Sequence, residues 1–127
     1  MVESVVRNAD RRRYPRVEQT LRLKVRRGTD HVATETVNVS CGGALCWLDH
    51  RLRPMTKVAV ALALPKRLIQ CTGVVIRSDL LKHPPGRPRP RYRTALFFLD
   101  LAREDHRAIA EFVLASMLTP SRGRRRS

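Results

Sequence analysis

Asn38-Val39-Ser40-Cys41-Gly42-Gly43 is the stretch on which the fold turns. The run Val32 to Val39 leads into it and Ala44 to Leu48 leads out. Between them, Ser40 to Gly43 supplies the small and conformationally free residues that let a chain reverse. The pattern predicts two strands joined by a tight connection. Upstream, Leu21, Leu23 and Val25 alternate with Arg22, Lys24 and Arg26, the period of a half-buried strand. Gly28-Thr29-Asp30 then reads as a turn. Downstream, Val58, Val60, Leu62 and Leu64 alternate with lysine and alanine positions up to Pro65-Lys66-Arg67. Leu68 to Arg77 and Tyr92 to Leu99 are β-rich again.

Six short strands of this kind predict a mainly β protein, a small six-stranded antiparallel barrel. From about Arg103 to Leu118 the period becomes helical, with Ile109, Phe112, Val113, Ser116 and Met117 on one face. Glu104 and Asp105 stand in the favourable first turn. A C-terminal α-helix packed on the barrel is expected. His83-Pro84-Pro85-Gly86-Arg87-Pro88-Arg89-Pro90 cannot sustain a ladder, because its prolines lack N–H donors, and it reads as an exposed loop. The expected organisation is a flexible arm over 1–10, one domain over 11–118 and a basic, disordered tail over 119–127.

The charge is uneven. Of the 26 basic residues, 14 fall within 7–16, 82–93 and 122–126, accompanied by one acid, Asp10, so the body is close to neutral in a chain of net charge +15. Three basic attachments suit phosphate-bearing ligands, nucleic acid or an anionic surface, and charge alone does not choose among them. The sequence has no apolar run long enough to span a bilayer and no signal-peptide pattern at Met1-Val2-Glu3-Ser4, so a cytoplasmic location is expected. Three cysteines without Cys-x-x-Cys spacing fit reduced thiols, with Cys46 and Cys71 as small core residues. Cys41, Cys46 and His50 lack a fourth ligand, so no metal is expected. The four histidines stand in no recognisable catalytic motif, and an enzyme is not expected.

Arginine pairs at Arg-x-x-x-Arg spacing occur seven times, so position must supply the specificity. Arg12 and Arg16 stand just before the first expected strand. After 21 intervening residues comes the chain's one Asn-x-Ser-x-x-Gly, at Asn38, Ser40 and Gly43. This ordered combination, with Tyr92-Arg93-Thr94-Ala95-Leu96-Phe97-Phe98 and a closing helix, resembles the PilZ domain family over roughly residues 11–118. The resemblance implies a barrel that binds cyclic di-GMP through Arg12, Arg16, Asn38, Ser40 and Gly43. In the family, the position of Arg11 bears on whether one ligand or an intercalated pair is held, and Arg11 is an expected helper.

The residue types suit that ligand on physical grounds. A guanidinium fork satisfies phosphate oxygens or the O6 and N7 edge of guanine, and its plane stacks on a base. Pro15 biases Tyr14 toward extended backbone. Four extended residues span about 13 Å, so Arg12 and Arg16 converge on one ligand only if the arm bends, and binding is expected to order it. Asn38 brings an amide for a base edge, Ser40 a hydroxyl, and Gly42 and Gly43 a close backbone approach. Tyr14 and Trp47 are expected to pack within the protein rather than to stack on a ligand. The implied role is a receptor signalling to a protein partner in motility, exopolysaccharide production or another surface behaviour. The alternatives are a basic protein that clamps nucleic acid and a PilZ-like docking module that binds no nucleotide.

Overall fold

The computed structural model describes residues 15–81, 86 and 89–118. The expected arm, Arg11, Arg12, Tyr14, most of the proline-rich connection and the expected tail lie outside the described residues. Among the described residues six strands precede one helix: β1 (Arg22–Arg27), β2 (Asp30–Val39), β3 (Gly43–Leu48), β4 (Lys57–Leu64), β5 (Arg67–Leu81), β6 (Arg91–Phe98) and α1 (Arg103–Leu118). All ladders are antiparallel, and the strands close into a barrel in the order β1-β2-β3-β6-β5-β4. Closure gives every strand a paired neighbour on each side. Gly28 turns β1 into β2 with φ 61, a left-handed conformation that glycine adopts without steric cost.

The alternation in the sequence becomes the inside and outside of the barrel. Leu23 and Val25 of β1, and Val58, Val60, Leu62 and Leu64 of β4, point inward and are buried, whereas Ala59, Ala61 and Ala63 alternate outward. Burying each such aliphatic side chain contributes about 1.5–3 kcal/mol. Ile69, Val75, Leu96 and Phe98 complete the far side of the core. Cys46 is buried and Cys71 packs against the core, as the sequence suggested.

Two bulges break the strict period. In β2 the inward residues Thr36 and Val39 are three apart, and the register skips Val37 between Thr36↔Cys46 and Asn38↔Leu45. The extra residue changes which parity faces inward. In β5 a shift between Val75 and Arg77 does the same, so Ser78 turns inward and meets Thr94 at 3.1 Å, hydroxyl to hydroxyl. This bulge carries β5 to Leu81, four residues beyond the expected end at Arg77.

Helix α1 occupies the expected span. Ile109 and Val113 are buried and Phe112 packs against the core, but Met117 is 55% exposed, because burial fades along the helix toward its last turn. Met117 therefore does not belong to the packed face predicted from the sequence. The first turn is tied to the barrel: Arg67 Nε donates to Asp105 Oδ1 at 2.7 Å, and the Cys41 thiol approaches the His106 carbonyl at 3.8 Å. The Asp105 side chain is only 13% exposed beneath that arginine.

Candidate functional site

Val17 fixes the base of the N-terminal segment. Its N–H donates to the Val39 carbonyl and its carbonyl accepts from the Val39 N–H, both at 3.0 Å, in an antiparallel bridge outside the named strands. Both valines are buried. Farther along the seam, Thr36 secures the same segment: its Oγ1 donates to the Gln19 carbonyl at 2.6 Å and accepts from the Leu21 N–H at 2.9 Å, and its N–H donates to the Leu21 carbonyl at 2.9 Å. The bulge at Val37 is what allows Thr36 and Val39 both to reach this seam.

Antiparallel register across the bridge sets Arg16 opposite Ser40 and Glu18 opposite Asn38. With Val17 and Val39 turned inward, Arg16, Asn38 and Ser40 lie toward the outer side, Arg16 exposed and the other two half-buried. The structure therefore brings together Arg16, Asn38 and Ser40, with Gly43 at the end of the same turn. Arg11 and Arg12 lie outside the described residues. Glu18 was not anticipated. Its carboxylate cannot favour a phosphate, but it suits the N–H groups of a base edge. The signal for it was available in the pairing parity, had the bridge been foreseen.

The turn is held by Ser40. Its N–H donates to the Gly43 carbonyl at 2.9 Å, and its Oγ accepts from the Gly42 N–H at 3.1 Å and lies 3.5 Å from the Gly43 carbonyl. One hydroxyl lone pair remains for a ligand. Among the described residues the Asn38 side-chain amide makes no hydrogen bond, so its donors and acceptor are available. Gly43 has a structural reason beyond the turn: a Cβ there would overlap the Leu96 carbonyl oxygen and lie 3.2 Å from the Phe97 Cα. Gly42 accepts from the Phe98 N–H at 2.9 Å, locking the turn to the end of β6.

A separate groove of about 940 Å³ is lined by residues of all six strands, with Ala33, Ala61 and Ala63 in its lining and Arg22, Lys24 and Trp47 beside them. It includes none of Arg16, Asn38, Ser40 or Gly43. Trp47 packs within the chain, its ring 4.0 Å beneath the Arg91 guanidinium. Burial pushes the Cys46 thiol up to about 12, and burial followed by the nearby Asp100 and Asp105 carboxylates pushes Cys71 up to about 11. Both are protonated near neutrality and so are poor nucleophiles and metal ligands. Among the described residues no group of three or more His, Cys, Asp or Glu side chains is arranged to hold a metal ion. Nor is any helix there long and apolar enough to cross a membrane.

Comparison with known proteins agrees with this architecture. Residues 10–115 match the PilZ domain model. Comparison with curated proteins found no match. Among solved structures, the Bacillus subtilis inhibitor of motility (MotI/DgrA) aligns with a TM-score of 0.71 at 21% identity, covering 85% of this chain and 51% of that one. The PilZ domain of YcgR from Escherichia coli, solved with c-di-GMP, aligns at 0.65 and 16% identity over 84% of this chain and 92% of its own. The K. pneumonia MrkH–c-di-GMP complex aligns at 0.73 and 18% identity, over 88% of this chain and 54% of MrkH. The chain thus spans about half the length of MotI and MrkH, and at these identities the likeness concerns the fold. The six-stranded closed barrel with its C-terminal helix, together with a family match over most of the sequence, makes this chain a member of the PilZ domain family, whose domains are typically ligand-binding receptors rather than enzymes.

Proposed function

We propose that this protein is a cyclic di-GMP receptor whose site comprises Arg12, Arg16, Asn38, Ser40 and Gly43, with Arg11 as a helper. The observation that carries the reading is the Val17–Val39 bridge, which sets Arg16 opposite Ser40 at the turn that ends in Gly43. Two solved relatives of the same fold, the YcgR PilZ domain and MrkH, were solved with c-di-GMP, and that supports carrying the ligand to this chain.

In this reading Arg16 supplies a charge-assisted fork to a phosphate or to guanine O6 and N7, and Asn38 pairs with a base edge. Ser40 offers its remaining lone pair beside them. Arg12 and Arg11 close over the ligand from the arm, so that residues 7–16 become an ordered flap and the altered surface is read by a protein partner. Motility and exopolysaccharide production are the output classes that fit a cytoplasmic second-messenger receptor. Calorimetric titration with cyclic di-GMP, compared with the linear guanine dinucleotide, tests the reading. Saturable uptake of the cyclic ligand alone is expected, and its stoichiometry separates one bound ligand from an intercalated pair. Absence of uptake overturns the proposal, and binding whose loss follows only the number of phosphates neutralised as salt rises would favour a nucleic-acid role.

A further inference from the structure

Phe97 is the only exposed aromatic side chain among the described residues, 47% exposed beside a Phe98 that is 4% exposed. Strand alternation explains why the two differ but not why an aromatic residue occupies the outer position. The cross-strand neighbours of Phe97 are Val74 on β5 and Gly43 on β3. Val74 is buried, whereas Gly43 has no side chain to cover the ring and cannot acquire one without displacing the β6 backbone. The glycine that ends the motif therefore leaves one flank of Phe97 open.

The surface between this residue and the motif is continuous. Asn38 pairs with Leu45, and Leu45 with Ala95, in the row next to Gly43 and Phe97, and both Leu45 and Ala95 are half-buried. Two strand spacings, about 10 Å, separate β2 from β6 across β3. A dinucleotide held at Arg16, Asn38 and Ser40 has a second base to place. An aromatic face at that distance across a low apolar floor is suited to receive it, because every base has a π-face that stacks on an aromatic ring. Trp47 is less suited, since Arg91 of the same chain covers its ring.

We infer that Phe97 is a stacking platform for one guanine of the bound cyclic dinucleotide, a contact outside the arginine pair and the Asn-x-Ser-x-x-Gly motif. The inference rests on the receptor reading above and names a further specificity residue for that site. Phe97 selects for a flat base rather than for phosphate, so it adds affinity with little dependence on salt.

The test is calorimetric titration of the full chain with cyclic di-GMP for the unaltered protein and for Phe97→Ala, Phe97→Leu and Phe97→Trp, with thermal midpoints measured in parallel. Phe97→Ala and Phe97→Leu are each expected to weaken binding about tenfold, while Phe97→Trp retains it. The Leu variant keeps apolar bulk and loses the π-face, so full affinity in Phe97→Leu overturns stacking. Unaltered binding in a folded Phe97→Ala overturns the contact altogether while leaving the receptor reading intact. Failure of the unaltered protein to bind overturns both.

Discussion

Val17 and Val39 hold each other through two backbone hydrogen bonds of 3.0 Å, and this exchange joins the base of the N-terminal arm to the end of β2. Arg16 and Ser40 are the next residues outward on either side. Main chain and two buried side chains thus fix the segment at Val17 relative to the turn.

Replacing Val17 by proline removes the N–H that donates to Val39 and leaves the barrel ladders untouched. Val17→Pro is expected to weaken cyclic di-GMP binding about tenfold or more, because a charge-assisted contact contributes about 1.5–3 kcal/mol and depends on the arm's placement. Val17→Ala keeps the donor and serves as the comparison. Equal affinity in the two variants, by calorimetry, would show that the bridge does not position Arg16.

Gly43→Ala forces a Cβ onto the Leu96 carbonyl, and β3 and β6 cannot both keep their places. A loss of about 3 kcal/mol in urea unfolding is expected, toward the upper end of overpacking effects because the obstacle is backbone. Any loss of ligand binding in this variant should be read beside that instability. A stability within about 0.5 kcal/mol of the unaltered chain would refute the close approach.

Asp100 accepts from the Thr72 N–H at 2.6 Å and from the Thr72 hydroxyl at 3.0 Å, which ties the β6–α1 connection to β5. These bonds, the backbone one foremost, hold its carboxyl below the ordinary 3.8. Because the folded value is depressed, the stabilisation is present above the unfolded value and is lost as pH falls through the folded one. Carboxyl NMR titration should place Asp100 below the ordinary 3.8. Acid unfolding of Asp100→Asn should lack that component, and a midpoint at or above 3.8 would contradict the clamp.

The thiols of Cys46 and Cys71 should resist alkylation at neutral pH, since burial keeps both protonated. Their labelling by iodoacetamide is expected to track unfolding across a urea series. Rapid modification of the fully buried Cys46 in the native protein would show that the barrel opens locally.

The barrel was legible where alternation is strict. In β1 and β4 the inward sets Leu23/Val25 and Val58/Val60/Leu62/Leu64 follow directly from the period of two. The end of β5 was not, because the bulge after Val75 makes Arg77-Ser78-Asp79 look like an exit from the strand when Ser78 is an interior residue bonded to Thr94. At the site, the motif gave the residue types, but their meeting depends on Val37. Without that bulge Thr36 and Val39 could not both turn inward, and the arm would have no seam to lie in. Glu18 and Phe97 were missed because their placement comes from cross-strand register, which no local pattern encodes. Met117 was assigned to the packed face because helical period marks a face and not how far along the helix the barrel continues.

If the arm and the β2–β3 turn form one nucleotide site, removing the Arg16 guanidinium must weaken it. Cyclic di-GMP should be titrated calorimetrically into the unaltered chain and into Arg16→Ala at the same moderate salt. Saturable binding by the former and a loss of at least tenfold in the latter, from deletion of a charge-assisted fork, is the predicted result. Equal binding by the two proteins, or none by either, would show that Arg16 and the turn form no such site.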